Sequence, residues 1–252
     1  MLAGSLLLAG CSPDPDQASA GTTATTTTTA TTTTTTTTRT TATIGTGSAA
    51  AGGAPGGGCP ATGAIPAGTA TAPTLDVDGD GRPDTAWIAT SPAADGSVRF
   101  GVRTASGAVI AAELRSASPV ARSLLVADVT GHGEFIALAS DGRAVQLWAI
   151  SDCALVPVQN VEGRQYTFDL GFTGYGTGVG CTDVDGDGVR DLVGLKADGT
   201  TVTSTAVVLT GHRATNGKSV TVPVASPAQV DAAHQVTCGD LTMAANGVSS
   251  GP

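Results

Sequence analysis

Two short segments concentrate the chemistry of this chain. Leu75-Asp-Val-Asp-Gly-Asp-Gly-Arg-Pro-Asp84 and Thr182-Asp-Val-Asp-Gly-Asp-Gly-Val-Arg-Asp191 each set four aspartates within nine residues. Four carboxylates so close repel one another unless a cation sits among them. A hard cation such as Ca²⁺ takes 6–8 oxygen ligands at about 2.3–2.6 Å, and a D-x-D-x-D-G-x-x-D loop meets that need locally. Gly79, Gly81, Gly186 and Gly188 permit the tight turn. Eight of the 21 acidic residues lie in these two loops, so the net charge of −9 points to a cation as partner, and two bound Ca²⁺ would bring it to −5. Nucleic acid is excluded as a partner on the same ground. Phosphate contacts need a basic face, and the 12 Lys and Arg are scattered.

The loops belong to a repeat. A third copy, Ala127-Asp-Val-Thr-Gly-His-Gly-Glu134, lies between them, and a trace, Cys238-Gly-Asp-Leu-Thr-Met243, follows. The leading aspartates Asp76, Asp128, Asp183 and Asp240 are spaced 52, 55 and 57 residues apart. In the middle copy Thr130, His132 and Ile136 replace three of the four aspartates, so it is expected to keep the turn without the metal. Each copy follows a short apolar run, at 124–127, 179–182 and 236–239, and precedes a strand-like run, at 85–90, 135–139 and 192–196. Asp95-Gly96, Asp141-Gly142 and Asp198-Gly199 then read as hairpin turns, because Asp-Gly tolerates φ > 0. Further strand-like runs cover 98–103, 145–150 and 202–209, with third turns expected at Ser106-Gly107, Glu162-Gly163 and Asn216-Gly217. Each unit is thus strand, acidic loop, strand, turn, strand, turn, strand.

Four antiparallel strands at a period near 55 residues resemble the blades of FG-GAP or VCBS repeats, the family of the integrin α-subunit propellers, over about residues 70–245. The resemblance implies an all-β fold: a small β-propeller or partial propeller of three to four antiparallel blades. It implies calcium ligands Asp76, Asp78, Asp80, the carbonyl of Arg82 and Asp84 in the first loop. In the second loop they are Asp183, Asp185, Asp187, the carbonyl of Val189 and Asp191. An EF-hand is not expected, since Trp87 and Gly194 stand where its twelfth-position Glu would be. The chain supplies three full units and one further strand, and residues 59–75 are expected to complete a fourth blade with the strand near Cys238.

The N-terminal part is of another kind. Residues 2–9 are apolar, uncharged and too short to span a bilayer, and read as the end of a signal-peptide apolar region. Leu8-Ala9-Gly10-Cys11 resembles the bacterial lipobox, which implies lipidation at Cys11 and display on the outer face of the cell membrane. Residues 11–58 are Thr-, Ala- and Gly-rich and cannot bury enough apolar surface to offset ordering, so they read as a disordered tether before a folded domain at 59–252. Setting Cys11 aside leaves Cys59, Cys153, Cys181 and Cys238, an even set suited to disulfides in an exported protein. Cys181 and Cys238 hold equivalent places in successive repeats and are expected to point alike. That favours Cys153–Cys181, with Cys59–Cys238 by elimination.

Catalytic constellations are weak. His132, His212 and His234 form no H-E-x-x-H, and no G-x-S-x-G occurs. The glycine-rich stretch 171–178 lacks the Lys-Ser/Thr of a phosphate loop. Tyr166, Phe168, Phe172 and Tyr175 are the densest aromatic group, read first as core and second as a stacking surface for a sugar or peptide. Trp87 and Trp148 read as core. The expected function is a calcium-binding, non-catalytic surface lipoprotein module for binding or adhesion, whose partner is an envelope or extracellular protein or a glycan. The alternatives are an envelope protein in which calcium only staples the fold, and a glycan hydrolase.

Overall fold

A computed structural model describes residues 57–172 and 176–251. Cys11, the Thr-rich tract and Tyr175 lie outside the described residues. The fold is all-β, built as antiparallel sheets, none of them closed. The first sheet is a meander of β1 (Thr69–Thr74), β2 (Asp84–Ala89), β3 (Ser97–Arg103) and β4 (Val109–Arg115). The second holds β5 (Ser123–Asp128), β6 (Phe135–Ser140), β7 (Ala144–Ser151), β8 (Ala154–Pro157) and β9 (Thr167–Asp169), with β8 and β9 both pairing β7. The third is a meander of β10 (Gly178–Thr182), β11 (Asp191–Ala197), β12 (Thr201–Thr210) and β13 (Arg213–Pro223). A short helix, α1 (Pro227–Ala232), leads to a two-stranded hairpin, β14 (Thr237–Cys238) with β15 (Leu241–Thr242). One helical turn, α2 (Met243–Asn246), and β16 (Val248–Ser249) finish the described chain.

The middle sheet sits between the other two, and its sequence shows why. Strand side chains alternate between faces, so an uninterrupted apolar run is buried on both. Along β5, Leu124 and Val126 pack towards Phe100, Val102 and Ile88 of the first sheet. Their neighbours Leu125 and Ala127 pack with Val179, Leu192 and Val207 of the third. In β6, Ala137 and Ala139 join the first core, Ile136 and Leu138 the second. Trp87 and Trp148 are buried as expected of strand-borne core residues, and Trp148 meets Phe100 edge-on at 5.5 Å.

Strand, acidic loop, strand and Asp-Gly turn recur in all three sheets, but two of the expected third turns lie elsewhere. In the second unit β7 turns into β8 at Asp152-Cys153, both at positive φ, as a two-residue type I′ turn requires. Glu162-Gly163 instead caps a small extra hairpin over 158–166 that splits the fourth strand into β8 and β9. In the third unit the turn is Gly211-His212, with Gly211 at φ +58. Asn216-Gly217 lies inside β13, where the register slips by one residue against β12. A Cβ on Gly217 would come 2.8 Å from Val208 Cγ2, so the glycine serves close approach at a bulge and not a turn.

The expected disulfide pairing is overturned. The bridges are Cys59–Cys153 and Cys181–Cys238, with Cα atoms 5.7 Å and 4.4 Å apart. Cys181 and Cys238 do hold equivalent places, but β10 and the segment entering β14 run parallel and touch, with Val179 opposite Val236. Two residues further along each segment, equivalent side chains share a face and stand side by side, and this proximity lets them bond. The N-terminal segment does not pair with the strand at Cys238. Residues 59–62 dock on the β3–β4 turn, where Thr62 N–H donates to Gly107 O, and Cys59 reaches the β7–β8 turn. The strand at Cys238 pairs with β15, and β16 adds to β5 instead. No fourth four-stranded unit forms among the described residues.

Candidate functional site

All three loops wind the same way. In each, the leading aspartate accepts backbone N–H groups from the third and fifth residues after it. Asp76 accepts from Gly79 and Gly81, Asp128 from Gly131 and Gly133, and Asp183 from Gly186 and Gly188, at 2.6–2.9 Å. The glycines concerned all have positive φ, which a Cβ would oppose. The leading carboxylate is therefore a turn-former first, and the middle loop keeps that role although it lacks the other acids. The last aspartate closes each acidic loop, with Val77 N–H donating to Asp84 at 2.8 Å and Val184 N–H to Asp191 at 2.9 Å. Where Ile136 stands at that place, Val129 N–H donates to the backbone carbonyl of Glu134 instead. Ile136 is itself core, which explains why no carboxylate is found there.

In the first loop Asp76, Asp78 and Asp84 each bring one oxygen within 4.8 Å of the others. Asp80 is drawn aside to Arg82, whose guanidinium lies 2.8 Å from its carboxylate. Asp84 is only 2% exposed, and its Oδ1 accepts from Ala105 N–H. Burial pushes its carboxyl above the ordinary value, against the pull of the Val77 and Ala105 amides. Asp78 Oδ2 accepts from Cys59 N–H at 2.7 Å and from the Ser106 hydroxyl at 2.6 Å. Burial raises the Asp78 carboxyl, but these donors outweigh it and hold the group below the ordinary range. Its other oxygen, Oδ1, is buried and has no hydrogen-bond partner among the described residues. A buried, unpartnered carboxylate oxygen is rare and calls for a donor or a cation.

In the second loop Asp183, Asp185 and Asp187 form the cluster, all exposed; Asp191, the equivalent of Asp84, is not part of it. Asp183 is held below the ordinary carboxylate range by the Gly186 and Gly188 amides. Asp185 and Asp187 accept only from within the loop. The residues expected as carbonyl donors, Arg82 and Val189, follow Asp80 and Asp187 by two, and their N–H groups cap those carboxylates. A divalent cation fits both clusters by donor type: hard oxygens only, three converging carboxylates each, with no sulfur or imidazole.

Sequence reasoning missed the anchors of the first loop. Ser106 was visible only as a turn residue, and nothing in the sequence ties Cys59 to Asp78. It also missed Arg190, which reaches back from the second acidic loop to the carbonyls of Asp128 and Val129 and so locks the middle loop to the third sheet. Of the aromatic group, Phe168 is buried and Tyr166 half-buried, whereas Phe172 is 80% exposed under the Arg143 guanidinium. The chain matches no protein family, no curated protein and no solved structure to which it was compared.

Proposed function

We propose that this is a calcium-stapled, non-catalytic binding module, displayed outside the cell on a lipid at Cys11. The observation that carries the metal reading is the first loop: three converging carboxylates, one with a buried oxygen that no described residue satisfies. The shared winding of the middle loop, which keeps Asp128 but not the other three aspartates, supports a division of labour. The leading aspartate makes the turn, and the remaining aspartates serve the ion. The three sheets in series, each with such a loop between its first two strands, are read as propeller-like blades in an open arc. Two disulfides suit an oxidising, exported setting.

Calorimetry of the full chain with and without Ca²⁺ tests the metal. A cation bound only to the folded state raises the melting temperature by mass action. Asp78→Ala combined with Asp185→Ala abolishes most of that rise. Absence of any calcium-linked shift rejects the metal reading. Lipid mass at Cys11, lost in Cys11→Ser, tests the anchor separately.

A further inference from the structure

Two departures from the repeat meet at one place. The second unit alone carries the extra hairpin at 158–166, and the third unit alone carries the bulge at Gly217 in β13. The hairpin crosses to the third sheet: Gln159 N–H donates to His212 O and Gln159 O accepts from Ala214 N–H. Further along, the Tyr166 hydroxyl donates to Asn216 Oδ1 at 2.9 Å, beside the bulge. Repeating units need neither feature to pack, and irregularities of this kind concentrate where strands re-aim side chains for binding.

Between the two features lies a cavity of about 320 Å³, lined among others by Tyr166, Phe168, Asp169, Gly194, Lys196 and Asn216. Its size is at the lower end of small-ligand sites. Gly194 keeps it open: a Cβ there would stand 3.2 Å from Thr177 and 3.7 Å from the Phe168 ring. Tyr166 and Phe168 pack edge to face at 5.3 Å and form an aromatic wall. The polar groups around that wall hold unused capacity. Among the described residues the Lys196 ammonium makes no ion pair or hydrogen bond. Asp169 spends Oδ1 on Gly171 N–H and leaves Oδ2. Asn216 accepts through Oδ1 and retains both amide protons. One cation and one anion face the cavity, so it has no net preference for a charged ligand. Donors and acceptors converge beside an aromatic surface.

We infer that this cleft between the second and third sheets binds a sugar ring, with its C–H face against Tyr166 and its hydroxyls on Asn216, Asp169 and Lys196. The inference names a ligand class for the binding role proposed above. It does not depend on calcium, because no residue of the acidic loops lines the cleft.

The test is saturation-transfer NMR on the full chain with glucose, galactose, mannose, fucose and N-acetylglucosamine, each at about 10 mM, a range that detects Kd values to the millimolar level. At least one sugar gives transfer, with Asn216→Ala and Lys196→Ala each weakening it about tenfold, the scale of one lost hydrogen bond to a polar ligand. Tyr166→Phe keeps the ring and the fold and gives a smaller loss. Thr62→Ala, in another cleft, leaves binding unchanged. The experiment is repeated in EGTA and with Asp185→Ala. Sugar binding that persists there, whatever the calcium result, supports the cleft. Silence from all five sugars overturns the inference, as does binding that none of the three cleft variants alters.

Discussion

Asp78 in the first acidic loop accepts from Cys59 and Ser106, residues 19 and 28 positions away in the chain, and Asp84 accepts from Ala105, 21 positions away. Every backbone donor to Asp183, Asp185, Asp187 and Asp191 comes from within the second loop itself. The two loops share one nine-residue pattern and one winding, yet the folded body pre-sets the carboxylates of only the first. Ordering a site before the ligand arrives removes that cost from binding. The first loop should therefore hold a cation more tightly than the second, although both offer three converging carboxylates.

The largest effect expected comes from the staple behind the first loop. Cys59→Ser with Cys153→Ser opens a covalent loop with a sequence separation of 94 and should lower stability by about 4–5 kcal/mol in the chain-entropy account. Denaturant titration measures it. In the same variant the tighter calcium step should weaken while the looser one holds. If both steps shift equally, Cys59 is not what sets the first loop apart.

Next come the ligands. A site saturated about 100-fold above its Kd contributes about 2.7 kcal/mol. Asp78→Ala should remove the larger share of the calcium-linked gain in melting temperature, and Asp185→Ala the smaller. Each variant is read against its own calcium-free form, since Asp78 also holds Cys59. Equal losses would break the comparison.

The middle loop sharpens it further. Asp128→Ala leaves the amides of Gly131, Gly133 and Glu134 without their acceptor and should cost about 1–2 kcal/mol. That loss should be the same with and without calcium. A calcium-dependent loss would mean that the middle loop also binds.

The smallest effect concerns the turn after the second loop. Asp198 accepts from the amides and hydroxyls of Thr200 and Thr201, which hold its carboxyl well below the ordinary value of 3.8. Folding therefore favours the ionised form. Its contribution is complete above the unfolded value and is lost as pH falls through the lower folded one. Asp198→Asn should flatten the calcium-free stability profile below about pH 4, with a small loss of stability at neutral pH that vanishes as the parent is protonated in acid. An unaltered acid limb would show that the turn carries no such linkage.

Much of the architecture was local enough to be read directly. The apolar runs, the glycines of the acidic loops and the three Asp-Gly turns each specify backbone within a few residues, and β2, β6 and β11 lie within a residue or two of where those signals place them. Glu162-Gly163 and Asn216-Gly217 carry the same turn chemistry, yet one caps an inserted hairpin and the other sits in a bulge. A turn dipeptide states what a backbone tolerates, not which strand it joins. Which cysteines bond, which loop is anchored, and where the cleft at Tyr166 and Asn216 opens depend on segments tens of residues apart coming together. The sequence alone determined the composition of both candidate metal loops. Only the tertiary structure decided that Cys59 stands behind one of them, because that contact comes from docking residues 59–62 on the β3–β4 turn, and no spacing or periodicity encodes it.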